Sequence, residues 1–218
     1  MPFAARHRDD PTPRLAPLPG LAVRREMDAA VMADLQGRTA AEMTRRFVDG
    51  HRAYLALREG EPAARGWVAT RSAEIGELDS RFAVPHGERY LWNFVTEKPH
   101  RGLGIYPRLL DAIVRAESRE AERFWIAYAP ENHASGAGIR KAGFVALSEL
   151  SFDAAGRPAL RAMLPGGATL ASRVLGLPEA REDLTPCWRC VRAGRPGMSC
   201  APGRCRCDYQ RPEAGCAA

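Results

Sequence analysis

The stretch Glu88–Leu110, "ERYLWNFVTEKPHRGLGIYPRLL", decides the fold. Its first part, Glu88–Glu97, is dense in aromatic and branched side chains and reads as a strand. Its last part opens a run, "GIYPRLLDAIVRAESREA", that puts Ile105, Leu109 and Ile113 on one stripe with Leu110 and Val114 beside them, which is helical spacing. Arg101-Gly102-Leu103-Gly104 stands at the joint. A tight turn alone would account for two glycines there. A second account is that an anionic ligand needs bare backbone. The first N–H groups of a helix have no internal partner, and the helix dipole is positive at that end. Glycines remove the Cβ atoms that would hold a phosphate away from those donors. Pro107 is tolerated in a first helical turn, and Arg101 adds positive charge.

Working outward, Arg123–Ala129 reads as a strand, and "NHASGAGIRKAGF" (Asn132–Phe144) as a short helix stopped at Gly143. Upstream, Leu21–Glu26 reads as a first strand. Two short helices follow within Met27–Gly50, split near Gly37, with Asp28 and Thr39 as caps. Arg52–Gly60 and Pro62–Arg71 read as a hairpin closed by Glu-Gly-Glu-Pro. Ser72–Gly87 is polar, a loop or weak strand. Phe144–Phe152 and Pro158–Leu164 pair around a turn near Gly156, and a helix follows over Ala168–Leu175. Residues 1–19, rich in proline and arginine, are expected to be disordered, and the composition changes again after Leu177. The expected organisation is therefore a disordered 1–19, one domain over 20–177, and a basic Cys-rich tail over 178–218.

A chain of 218 residues suits one domain with appendages. The net charge of +6 permits an acidic ligand without demanding one. Only Lys98 and Lys141 are lysines, so the positive charge is nearly all arginine; with the many Ala, Gly and Pro residues this reads as GC-rich codon usage. No run approaches the ~18 apolar residues of a membrane span, and the N-terminus lacks the apolar centre of a signal peptide. A soluble cytoplasmic protein is the expectation.

Asn132, Ser135, Lys141, Gly143 and Phe144 lie one helix and one strand beyond Arg101 and Gly104. The pair of segments resembles the GNAT superfamily, the Gcn5-related N-acetyltransferases. Their pyrophosphate loop, Arg/Gln-x-x-Gly-x-Gly/Ala, is followed at this separation by Asn-x-x-Ala/Ser and Lys-x-Gly-Phe. Tyr106 stands here in place of the last small residue of the loop. The resemblance implies an α/β (α+β) fold with a mixed, curved sheet flanked by helices, in which two neighbouring strands splay apart. It implies acetyl-CoA as cosubstrate, with its pantetheine arm in the splay beside Thr96. The backbone of Arg101, Gly102, Leu103, Gly104, Ile105 and Tyr106 would hold the pyrophosphate. Asn132 and Ser135 would contact the cofactor arm, although Asn132 is equally suited to cap a helix.

The implied reaction is direct acetyl transfer to a primary amine, of a small molecule or a protein. It needs a neutral amine, a proton acceptor and a group to protonate the departing thiolate. Many members supply that last proton from a Tyr seven residues after the Asn; Ile139 is there instead. Many also carry a carboxylate in mid-strand before the loop, where Trp92 and Asn93 stand. Tyr128 is the substitute acid preferred, against a plain reading as a half-buried sheet tyrosine; Tyr106, Glu131 and His133 read rather as a packing or phosphate-contact residue and two helix-start residues. The missing acid also motivates an alternative: an acyl-CoA-binding sensor or scaffold with a metal-binding tail.

All six cysteines lie between Cys187 and Cys216. Cys187, Cys190, Cys200, Cys205 and Cys207 offer an all-thiolate zinc site, with an iron-sulfur cluster or a tail of reduced thiols as the other readings. The same segment holds six arginines against two acids but only Trp188 and Tyr209 for stacking, so nucleic acid is not an expected partner.

Overall fold

The structure, a computed structural model, describes residues 1–76, 80–152 and 157–180. The five candidate metal-binding cysteines lie outside the described residues. The chain divides into a larger unit, Ala4–Val145, and a smaller one, Met1–Phe3 with residues from Ala146 onward.

The larger unit is built on a mixed sheet with strand order β1-β8-β7-β4-β3-β2. Its strands are β1 (Pro2–His7, which begins in the smaller unit), β2 (Leu21–Glu26), β3 (His51–Arg58), β4 (Glu61–Ala69), β7 (Glu88–Thr96) and β8 (Arg123–Ala127). β2, β3, β4 and β7 pair antiparallel, while β7 and β8 are parallel. A parallel pair needs a crossover helix. Helix α3 (Ile105–Glu117) supplies it, burying Ile105, Leu109, Leu110, Ile113 and Val114, the stripe read from the sequence. Ser72–Gly87, read as a loop or weak strand, contains a separate two-stranded ribbon of β5 (Ser72–Ile75) and β6 (Ser80–Ala83).

Helices α1 (Ala29–Gln36) and α2 (Ala40–Val48) form where the caps predict. Asp28 accepts from the Ala30 and Val31 amides, Thr39 from that of Glu42, and Gly37 stops α1 at φ 59°. Met32, Ala33 and Met43 of this pair pack with Ala53 and Trp67 of the sheet. On the other side of the larger unit, α3 is tied by its buried Glu117, which accepts from Tyr54 Oη (2.6 Å), Arg52 Nη1 (2.6 Å) and Arg89 Nε (2.8 Å).

The expectation of disorder over residues 1–19 is corrected by β1. Ala4, Ala5 and Arg6 are buried, and Arg6 Nη1 donates to Asp111 Oδ1 of α3 (2.9 Å) and to the Ala142 carbonyl (2.9 Å). "PFAARH" has little intrinsic strand preference, because alanine is a poor strand former. Its strand form comes from its place beside β8, which local sequence does not carry. In the smaller unit, β9 (Val145–Phe152) pairs antiparallel with β10 (Pro158–Ala162), and α5 spans Gly167–Leu175. A Cβ on Gly167 would stand 2.0 Å from the Leu147 carbonyl oxygen, so only glycine lets α5 start there.

Candidate acyl-donor site

Two irregularities in the larger unit make an opening in its sheet. The parallel pairing runs from Glu88↔Arg123 to Leu91↔Ile126 and stops. β7 continues to Thr96, whereas β8 ends at Ala127. Just past the last pair, the β4–β7 register slips: Trp67 faces Trp92, but Arg65 faces Val95, so Gly66 alone stands opposite Asn93 and Phe94. This bulge places Asn93 at φ 54°, a left-handed conformation that asparagine accepts better than most residues. A Cβ on Gly66 would meet the Phe94 ring at 2.1 Å, so glycine is what lets that ring lie across β4. A bulged strand bends, and β7 leaves the company of β8 at this point.

β7 leads through a 3-10 turn (Lys98–His100) to the glycine loop. Gly102 sits at φ 79° and Gly104, the N-cap of α3, at φ 69°. Both conformations are costly for residues with a Cβ. The Arg101 amide is turned back to the Lys98 carbonyl (3.4 Å), which removes it from the set of free donors. Among the described residues, the amides of Gly102, Leu103 and Gly104 donate to no backbone acceptor, and those of Ile105 and Tyr106 fall in the helix's unpaired first turn. Arg101, Gly102 and Leu103 are exposed. Arg101 Nε donates to the Thr96 carbonyl (3.1 Å), closing the loop onto the end of β7.

The second motif lies across the opening. Helix α4 (His133–Lys141) is capped by Asn132, whose Oδ1 accepts from the Ser135 amide (2.9 Å). The capping role weighed for Asn132 is therefore present. Tyr106 joins the two motifs: its hydroxyl lies 3.4 Å from Ser135 Oγ, and its ring is 5.6 Å from that of Phe94. A Cβ on Gly138 would be 2.5 Å from Tyr106 Cδ1, so the aromatic residue that replaces a small one in the loop is seated on a glycine of α4. Burial pushes the Tyr106 hydroxyl up to about 12, with the Ser135 contact opposing, so it holds its proton throughout the physiological range. Tyr128 lies just beyond β8, and its ring packs on Gly136, where a Cβ would come within 2.8 Å of Cε2. Ile139, at the position where the resemblance leads one to expect a tyrosine, is 1% exposed, in the core.

On the other flank of the bulge is a cluster with no signal in the sequence. Gln36 Oε1 accepts from Asn93 Nδ2, Trp67 Nε1 and Arg46 Nη1, each at 3.3 Å. The Arg46 guanidinium lies 5.2 Å from the Trp67 ring centre and 5.0 Å from that of Trp92. His51 meets Trp92 edge-on at 5.1 Å. Gln36 reads as an unremarkable residue before a helix stop; only folding brings α1, α2, β4 and β7 onto its one oxygen.

Strands that part beyond a short parallel pairing, a bulge on the first of them and a glycine loop leading into the crossover helix are the mixed sheet with splayed strands that the paired motifs lead one to expect. No protein-family model and no curated protein matches the sequence. Solved structures do match. A GCN5-related N-acetyltransferase from Kribbella flavida is 15% identical over 66% of this chain, with a TM-score of 0.42; the match covers 53% of that protein, about half its length. An acetyltransferase of the GNAT family from Streptococcus pneumoniae is 18% identical over 60% of this chain and 88% of its own, at a TM-score of 0.44. AAC(6')-Iy, solved with a CoA bisubstrate analogue, is 16% identical over 61% of this chain and 96% of its own, at 0.47. Among the described residues no group of His, Cys, Asp and Glu is placed to hold a metal, and no helix is long and apolar enough to cross a membrane.

Proposed function

We propose that this chain is an acetyl-CoA-dependent N-acetyltransferase acting on a primary amine of a small molecule or a protein, working in the cytoplasm. The observation that carries the reading is the set of free amides at Gly102, Leu103 and Gly104, past the end of the stretch of β7 that has parted from β8. Such amides, at the positive end of α3, fit a diphosphate. Thr96 and its neighbours, on the stretch of β7 that pairs with β4 but has no partner on its β8 side, fit the amide-bearing arm of the cofactor, and Ser135, with its capped helix, borders the arm from the other side. Acetyl-CoA would supply an activated acyl group; the protein's part is to align an amine with it and to manage protons.

The proton-handling groups differ from the family's usual set. The exposed Asn93 offers the amine a hydrogen-bonding edge but no base, and Gln36 is already engaged on both its oxygen and its nitrogen, so the amine must arrive neutral or lose its proton to water. Tyr128 remains the proposed proton donor for the departing thiolate. The alternative, an acyl-CoA sensor, draws on the buried Ile139 at the usual acid position. A zinc site on the cysteines of the tail belongs with that alternative.

Isothermal titration with acetyl-CoA tests the central step. The expected result is saturable binding that Arg101→Glu weakens at least about tenfold, by setting negative charge against the diphosphate. Unchanged affinity in that variant would displace the cradle from residues 101–106. Binding without turnover across a broad amine panel would favour the sensor.

A further inference from the structure

Arg108, on the first turn of α3, is placed unusually for a surface arginine. Its Nη1 donates to the Gly104 carbonyl (2.6 Å), so the side chain curls back over the helix N-terminus. Its Nε (3.0 Å) and Nη2 (2.5 Å) both donate to the carbonyl of Ala16. Ala16 lies in "PTPRLAPLPG", Pro11–Gly20, a segment whose prolines favour extended backbone and remove amide donors. The segment is anchored at both ends. Before it, the Arg8 amide donates to the Glu122 carbonyl (2.8 Å); after it, the Gly20 carbonyl accepts from Glu59 (2.9 Å). Between these anchors, the two bonds from Arg108 are the hydrogen bonds found among the described residues that tie the segment to the rest of the unit. The segment is a strap, clasped at one point by the guanidinium that also reaches the Gly104 carbonyl of the glycine loop.

A guanidinium whose three nitrogens each donate to a neutral carbonyl, leaving one N–H over on Nη1 and one on Nη2, is not in its best company. Charge-assisted bonds to phosphate oxygens are about twice as strong as bonds to neutral acceptors, and the planar fork of arginine suits them. We propose that Arg108 is a second cationic ligand for the cofactor's diphosphate, held in reserve by the strap, so that cofactor binding moves Arg108 from Ala16 to phosphate and frees residues 11–20. The proposal rests on the acyl-CoA reading above. It couples occupancy of the cofactor site to the exposure of a proline-rich segment. A ligand shifts such an equilibrium only through its different affinity for the two arrangements, and here that difference is the change of partner at Arg108.

The strap carries its own reporter, because Arg14 is exposed and followed by Leu15, a bond trypsin can cut. Limited proteolysis of the full chain, read by mass spectrometry as the appearance of an N-terminal Leu15, should be about tenfold faster with saturating coenzyme A than without it, since cleavage follows the population of the open form. Arg108→Gln should be cut fast under both conditions and should bind coenzyme A about tenfold more weakly by calorimetry. Arg108→Lys, which keeps the charge and loses the fork, should fall between and guards against a folding defect in the glutamine variant. Coenzyme A that binds calorimetrically but leaves the cleavage rate unchanged overturns the strap and leaves the cofactor reading standing. So does cleavage of both variants at the wild-type rate. Absence of coenzyme A binding overturns the cofactor reading itself and the strap with it.

Discussion

Tyr106 and Gly138 are the residue pair on which the site turns. In sequence, Tyr106 is a departure from a motif that wants a small side chain, and nothing nearby says where its ring goes. In the fold the ring fills the space between α3 and α4 that Gly138 leaves open. Gly138→Ala sets two effects against each other. Alanine in a helix interior gains about 1 kcal/mol over glycine, whereas overpacking a fixed ring costs about 1–3 kcal/mol. Phe94 and Ser135 hold the ring on its other sides, so overpacking should win. A lowered urea midpoint is expected, and in a Tyr106→Ala background, itself less stable, Gly138→Ala should no longer lower the midpoint. If Gly138→Ala alone raised the midpoint, the ring would not be seated there. Asn132 teaches the converse lesson. Its cap is fully legible from sequence, and the structure shows that cap; a cofactor contact by the same side chain would have to share its Oδ1 with the Ser135 amide.

At the scale of elements, α3 is both the crossover between β7 and β8 and the support of the glycine loop. Its C-terminal end is fixed by the Glu117 carboxylate, which is 1% exposed and bonded to Tyr54, Arg52 and Arg89. Burial and the bond to Glu117 raise the Tyr54 hydroxyl well above its ordinary value, so it stays a donor. Removing one partner from such a network leaves the others buried without compensation. Glu117→Gln should cost about 3–5 kcal/mol of unfolding free energy in chemical denaturation. A cost under about 1 kcal/mol, the worth of a surface pair, would show that water reaches the cluster. The elements themselves were largely readable. Side-chain caps at Asp28 and Thr39, glycine stops at Gly37 and Gly143, and the 3.6-residue stripe of α3 are local signals, and each forms where local physics puts it. β1 was not readable, because the six-residue strand "PFAARH" owes its form to its neighbours.

For the molecule as a whole, the clearest pH signature comes from His51, half-buried against Trp92. Burial lowers its pKa from the usual 6.5; nearby Asp49 opposes this and Arg46 adds to it. The unfolded chain therefore binds a proton on this residue more readily than the folded one. Stability should be highest above pH 6.5 and should fall as the pH drops toward the folded value, with no further change from this group below it. His51→Phe should flatten that limb of the stability profile measured by thermal unfolding; an unaltered slope would assign the acid limb to other groups. The sequence by itself determined the helices, most of the strands and the glycine loop, because caps, stops, periodicity and missing Cβ atoms act over a few residues. Tertiary structure alone decided the bulge at Asn93, the seat of Tyr106, the cluster around Gln36 and the clasp between Arg108 and Ala16. Each of those depends on which distant atoms share a space, and short-range sequence pattern does not encode that geometry.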